Sequence, residues 1–243
     1  MNIAYPDTWP TTPDEAVSLQ AELRSQVCLT DDLPQFVQYV AGVDVGFESG
    51  GTITRAAVVV LEFPSLALVD QALVKRSTTF PYVPGLLSFR EIPAILDALA
   101  QITISPDLVL CDGQGIAHPR RFGIASHLGL ILDSPTIGVA KSRLIGSHSD
   151  VPPDKGAWVP LLDREDCIGA VLRSRTQTKP LYISPGHKIS LPTALDYVIR
   201  CTPKYRLPET TRLADRLASD RGSLPPIKPT QTDQPMGEQM NLL

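Results

Sequence analysis

Asp107-Leu108-Val109-Leu110-Cys111, bounded by Pro106 on one side and by Asp112-Gly113 on the other, is a short apolar run with the length of a buried strand. Residues 120–132 fit a helix, and Thr136-Ile137-Gly138-Val139-Ala140 is a second buried run. Strand, helix and strand at this spacing predict a parallel α/β unit. Upstream, Tyr39–Phe47 alternates: Val43, Val45 and Phe47 share one face, and Gly42, Asp44 and Gly46 share the other. The turn Glu48-Ser49-Gly50-Gly51 leads to a Val-rich strand, Arg55–Phe63, and Pro64-Ser65 leads to a third, Leu66–Val74. Short connections between these three predict an antiparallel meander. Further strands are expected in residues 157–183, and helices over 13–29, 86–102 (kinked at Pro93), 192–201 and 209–220. The sum is an α/β fold, a central mixed sheet flanked by helices. Ligands of such sheets collect outside the carboxyl ends of the parallel strands.

The chain has 243 residues, 43 % hydrophobic and 20 % charged, which excludes wholesale disorder. Residues 1–12 read as a flexible arm, 13–221 as one domain, and the Pro/Gln-rich residues 222–243 as a disordered tail. The start lacks the pattern of a secretory signal, and no run is apolar enough to span a membrane, so a cytoplasmic protein is expected. The cysteines at 28, 111, 167 and 201 form no C-x-x-C pair, which argues against zinc and for free thiols. A net charge of −4 does not mark a nucleic-acid binder, so any such binding must use a local basic patch.

Three carboxylates stand out. Asp44 sits mid-strand among valines, flanked on its own face by Gly42 and Gly46, which leave space beside it. Strands disfavour both residue types unless something is gained; a strand residue facing water is the alternative. Asp112 closes the Leu108–Cys111 run, as a ligand or as a helix cap. Glu91 shares a helical face with Leu87, Ile95 and Leu99, so it lies on the apolar stripe. A buried carboxylate needs a cation or a proton. Together the three suit Mg²⁺, which takes oxygen ligands and acts on phosphodiesters by activating water and stabilising the leaving oxygen.

Around Asp112 runs Gly113-Gln114-Gly115-Ile116-Ala117-His118-Pro119-Arg120-Arg121. Its glycines permit close backbone approach to a ligand. His118 is a candidate for proton transfer or an ordinary loop histidine; Arg120 and Arg121 are candidate phosphate contacts or solvated cations. Lys141, at the end of Thr136–Ala140, is a candidate phosphate or water ligand, or a surface lysine.

Phe80-Pro81-Tyr82-Val83-Pro84-Gly85-Leu86-Leu87-Ser88-Phe89-Arg90-Glu91, Asp112–Arg120, Gly138-Val139-Ala140-Lys141-Ser142 and Tyr205–Asp215 together resemble the endonuclease V family, in order along residues 14–220. The resemblance implies a ribonuclease H-like fold. It implies a DNA-repair endonuclease that uses Mg²⁺, with Mn²⁺ as a substitute. The implied reaction is cleavage of the second phosphodiester on the 3′ side of deoxyinosine, leaving a 3′-hydroxyl and a 5′-phosphate. By motif match, Asp44, Glu91 and Asp112 are the metal acids, and His118, Lys141 and Asp215 join them in the active site. Tyr82 matches the wedge that separates strands, and Leu87, Gly113 and Gly115 the pocket for the flipped hypoxanthine. Gln114 departs from the family, many of whose members have His there. Inosine-containing DNA is the expected partner of a monomeric enzyme. The alternatives are an inosine-directed endoribonuclease and a non-catalytic nucleic-acid-binding module.

Overall fold

The computed structural model describes residues 8–228. Its centre is one eight-stranded mixed sheet. The meander supplies β1 (Tyr39–Glu48), β2 (Ile53–Glu62) and β3 (Leu68–Ser77). The parallel unit supplies β4 (Leu108–Cys111), which pairs with β1, and β5 (Thr136–Ala140), which pairs with β4. An antiparallel wing completes it: β6 (Trp158–Asp163), β7 (Asp166–Leu172) and β8 (Leu181–His187). The strand order is β3-β2-β1-β4-β5-β8-β7-β6, so β1 and β4 lie side by side near the middle.

Strand parity divides the core into two layers. Val40, Leu108, Leu110, Ile137 and Val139 point to the face covered by α4 (Leu191–Arg200) and α5 (Glu209–Ala218). Ala41, Val43, Val109 and Cys111 point to the opposite face, covered by α2 (Leu87–Leu99) and α3 (Ile124–Leu132). The central strands are buried on both faces, which is why they read as near-continuous apolar runs.

Four expectations change. First, α3 starts at Ile124, not at residue 120. Arg121 takes a left-handed φ of 56°, and the amides of Gly123 and Ala125 donate back to the carbonyls of Gly115 and Gln114. Those loop carbonyls satisfy donors that a helix start leaves open. Second, α1 (Pro13–Leu23) stops short of residue 29 and tightens into a 3₁₀ turn, Arg24–Gln26. Third, the arm is anchored within its described part. Trp9 packs edge-on against Phe89 at 6.4 Å between ring centroids, and Thr12 caps α1 in a capping box with Glu15. Fourth, residues 222–228 follow the sheet: the Lys228 amide donates to the Leu68 carbonyl at 2.8 Å, its ammonium pairs with Glu62 at 2.7 Å, and Leu224 packs on the core. Residues 1–7 and 229–243 of the arm and tail lie outside the described residues. Pro93 does not break α2, which runs through it. All four cysteines are free. Among the described residues no helix is long and apolar enough to cross a membrane.

Candidate active site

In the parallel β1–β4 ladder Gly42 pairs with Leu110 and Val43 with Cys111, so the next step sets Asp44 beside Asp112. Both share the parity of Val40 and Leu110, and therefore face the α4/α5 layer. The Asp112 amide donates to the Val43 carbonyl at 3.2 Å, carrying the pairing one residue past the strand.

Gly42 and Gly46 do not leave open space beside Asp44, as expected from the sequence. Helix α5 fills it. A Cβ on Gly42 would lie 2.1 Å from the Thr210 carbonyl oxygen, and one on Gly46 2.8 Å from that of Ala218. The two glycines are thus the floor on which α5 rests. On that helix Thr211, Ala214, Asp215 and Ala218 follow the spacing of one face. Small residues bring the backbone down and Asp215 onto the acids below. The carboxylates of Asp44, Asp112 and Asp215 each offer an oxygen within 4.8 Å of the others.

Glu91 reaches the same end of the sheet from the other layer. It is buried, and lies close enough that Asp44 and Asp112 push its pKa up, but it falls outside the tight group of three. The compact group is therefore Asp44, Asp112 and Asp215, rather than the expected Asp44, Glu91 and Asp112.

Burial first, and then the charge of Asp112, push the Asp44 carboxyl up to about 8. Burial raises Asp112 as well, although Lys141 opposes the rise. Burial with the charges of Asp44 and Asp112 holds Glu91 well above the usual carboxylate range. Two side-chain cations answer this crowding. Lys141 leaves the end of β5 to contact Asp112 and to stand 3.5 Å from Asp215. Burial opposes its charge, yet Asp112, with Asp44 and Asp215, holds the ammonium above its ordinary value. Arg221 pairs with Asp215 at 2.7 Å. An all-oxygen cluster on rigid strand and helix positions fits a hard divalent cation.

Beside the acids opens a cleft of about 410 Å³, lined by Tyr82, Leu87, Ser88, Asp112, Gly113, Gln114 and Lys141–Leu144 among others. Tyr82 stands at its rim, 72 % exposed. Gly113 has a φ of +155°, and a Cβ there would meet Ile124 at 2.6 Å, so only glycine fits. Gly115 does not line the cleft. A Cβ there would lie 2.0 Å from the Pro185 carbonyl oxygen, and its amide is spent on the Ser184 hydroxyl at 2.8 Å. Gln114 turns its Nε2 to the Ser142 carbonyl at 3.1 Å, tying the Asp112 loop to the loop after β5.

The structure gives the basic motif residues other partners. His118 is buried, and burial together with Arg120 lowers its pKa to about 4. Its Nδ1 accepts from the Arg120 amide at 3.2 Å and its Nε2 donates to the Gly85 carbonyl at 3.0 Å. Arg120 donates to the same carbonyl at 2.7 Å, and so does Gln20 of α1 at 3.1 Å. Three donors converge on Gly85, itself in a left-handed turn with φ +79°, and fix the Tyr82 loop. Arg90 holds the loop from the other end, through the Phe80 carbonyl at 2.7 Å and Gly51 at 2.8 Å. Arg121 turns away to the β6–β7 hairpin, where it pairs with Asp163 at 2.7 Å. Thus Arg121 is engaged by the β6–β7 hairpin, Arg120 braces the loop, and His118 lines the cleft together with Asp112 and Lys141 while it holds that loop.

Gln20 and Arg221 escaped the sequence reading, whereas Arg206 lies in the Tyr205–Asp215 stretch and was expected on the basic face. Gln20 stands four residues after buried Ala16, and a polar residue on that stripe was its one signal. Arg206 clamps the Lys141 carbonyl at 3.1 Å together with those of Pro180 and Lys179. Arg221 lies past α5, and nothing local marks it.

A family model described as Endonuclease V matches residues 21–216. A protein of Nostoc sp. named Endonuclease V is 64 % identical over 221 residues, covering 91 % of this chain and 100 % of that protein. The crystal structure of the Streptomyces avermitilis endonuclease V superimposes with a TM-score of 0.84 at 44 % identity, covering 91 % of this chain and 97 % of that one. The Ciona intestinalis endonuclease V, solved in complex with a 24mer DNA containing an inosine followed by a ribo-adenosine, gives a TM-score of 0.75 at 30 % identity, covering 86 % and 96 %.

Proposed function

The chain belongs to the endonuclease V family and is a nuclease, and from that premise we propose that it is a divalent-metal-dependent repair endonuclease. Its substrate is deoxyinosine in DNA, and its product is a break at the second phosphodiester on the 3′ side, with a 3′-hydroxyl and a 5′-phosphate. The observation that carries the reading is the meeting of Asp44, Asp112 and Asp215 within 4.8 Å, at the mouth of a cleft rimmed by an exposed tyrosine.

Asp44, Asp112 and Asp215 would hold the Mg²⁺, with Glu91 behind them. The cation, when bound, supplies Lewis acidity and a water of lowered pKa. Lys141, half-exposed beside Asp112, would meet the transferring phosphate. Tyr82 fills the stack vacated by the flipped base, and its loop is rigid because Gly85 is held by three donors. Inosine pairs weakly, so extruding it costs less than extruding a normal base. The base settles between Leu87 and Gly113. Hypoxanthine offers an acceptor at O6 and a donor at N1; adenine offers the reverse. A backbone edge suited to the first leaves an unmet donor or acceptor with the second, a penalty of ~1–3 kcal/mol. Gly115, whose amide is taken by Ser184, serves packing in this scheme rather than base reading.

The test runs DNA and RNA duplexes, each with a single inosine, side by side with Mg²⁺ or with EDTA, and maps the product ends. Mg²⁺-dependent cleavage of the DNA one linkage beyond the lesion is expected. Preferred cleavage of the RNA would transfer the proposal to an endoribonuclease. Binding without cleavage in any metal would defeat it.

A further inference from the structure

Past the end of α5 the chain folds back on the helix's last turn. The Arg221 amide donates to the Arg216 carbonyl at 3.1 Å, and the Arg216 Nε donates to the Arg221 carbonyl at 3.1 Å. The Arg221 Nε donates to the Ser219 hydroxyl at 2.6 Å. So aimed, a single guanidinium nitrogen, Nη2, spans both oxygens of Asp215, at 2.8 and 2.7 Å. Arg221 lies just beyond residues 21–216, the extent of the family-model match.

Asp215 is also one of the three acids whose oxygens lie within 4.8 Å of one another. A guanidinium across both of its oxygens and a divalent cation in the cluster repel each other and compete for the same lone pairs. Arg221 is 65 % exposed, so it swings into solvent at little cost once displaced. It then projects as a free cation beside the acids, where a DNA phosphate must come for cleavage. We propose that Arg221 is a positioning residue that holds Asp215 in the metal-free enzyme, yields it to the divalent cation, and is thereby released to a DNA phosphate. This rests on the metal reading of the acid cluster given above.

The mechanism predicts effects of opposite sign, which a folding defect does not produce. Mn²⁺ binding is titrated by electron paramagnetic resonance in wild type, Arg221→Gln and Arg221→Lys. Inosine-DNA affinity is measured against salt in Ca²⁺ and in EDTA. Arg221→Gln should bind Mn²⁺ about two- to tenfold more tightly, since a surface ion pair of this kind and its charge are lost. The same variant should bind DNA about two- to tenfold more weakly in Ca²⁺, with a salt slope smaller by about one. In EDTA its DNA affinity should equal that of wild type, because Asp215 then holds Arg221. Arg221→Lys, which keeps the charge, should restore the salt slope in Ca²⁺. Unchanged or weaker Mn²⁺ binding by Arg221→Gln would overturn the proposal, as would an equal loss of DNA affinity in Ca²⁺ and EDTA. Absence of Mn²⁺ binding by wild type, or binding indifferent to Asp112→Asn, would instead bring down the metal reading itself.

Discussion

Gly42→Ala adds one methyl group, yet it should cripple the enzyme. The new Cβ would lie 2.1 Å from the Thr210 oxygen, 2.2 Å from its carbonyl carbon and 2.8 Å from the Thr211 nitrogen. All three are backbone atoms, so no rotamer relieves the clash. Ordinary contact begins at 3.4 Å, so α5 must retreat by about 1.3 Å, the difference between 3.4 and 2.1. Overpacking of this kind destabilises by ~1–3 kcal/mol. At ~2–4 °C per kcal/mol for a chain of this size, the melting temperature should fall by roughly 2–12 °C. Asp215 rides on the displaced helix and leaves Asp44 and Asp112 by a similar distance. A misplacement of ~1 Å in a catalytic array lowers the rate on the order of 10²-fold. The parallel change Gly46→Ala meets the Ala218 oxygen at 2.8 Å and calls for a shift of about 0.6 Å, from 3.4 minus 2.8. It should be milder in both respects. Cleavage of an inosine duplex under single-turnover conditions and a thermal melt measure the two effects. Wild-type rate and melting temperature for Gly42→Ala would refute the reasoning, as would a Gly46→Ala enzyme worse than Gly42→Ala.

Asp44→Asn should lower cleavage by ~10²-fold or more while raising the melting temperature of the metal-free protein, because it removes a buried acid that Asp112 repels; a less stable Asn variant would contradict the electrostatic picture. The metal-free protein should lose stability as pH rises from about 6.5 to about 8. In the fold Asp44 keeps its proton up to about 8, whereas unfolded it has released it near 3.8, so the unfolded state binds fewer protons and stability drains away until the folded carboxyl ionises. Buried His118, lowered to about 4, acts oppositely but only below about 6.5, so melts in EDTA above that pH isolate the carboxylates; a flat or rising profile there, or one that Mg²⁺ leaves unchanged, would count against the cluster. Tyr82→Ala should weaken inosine-DNA binding in Ca²⁺ by roughly ten- to a hundredfold, from a stacking loss of ~1–3 kcal/mol, and Tyr82→Phe should retain most of it. Neither should shift the melting temperature, since the side chain is 72 % exposed; equal affinity of the Ala variant and wild type would remove the wedge.

The sheet was legible because its signals are local. Alternation in Tyr39–Phe47 and the apolar runs at 108–111 and 136–140 name their own strands, and parity alone placed Gly42, Asp44 and Gly46 on one face. What lay over that face was not legible. The contact joins residue 42 to residue 210, and no pattern within either segment refers to the other. Asp215 entered only through the family resemblance, and its rank among the acids came only from the packing of α5. The motif from Asp112 to Arg121 was only partly legible for a related reason. Its histidine and arginines have the right chemistry for phosphate and proton transfer, but their partners, Gly85 and Asp163, are distant in sequence. Composition misled at the ends: polar and proline-rich, residues 8–12 and 222–228 are nevertheless held by Trp9, Leu224 and Lys228.

That the acid cluster draws its third carboxylate from the last helix has a consequence during synthesis. Asp215 follows Asp44 by 171 residues, and a ribosome adding ~5–20 residues per second takes roughly ten to thirty seconds to cross them. For all of that interval the meander and the parallel unit have their chain in hand, while the cluster is one member short and the face that α5 covers stays open. On the proposed reading of the cluster, a chain broken off before α5 lacks one of its three acids. Such a chain also leaves the Gly42 and Gly46 face of the sheet uncovered.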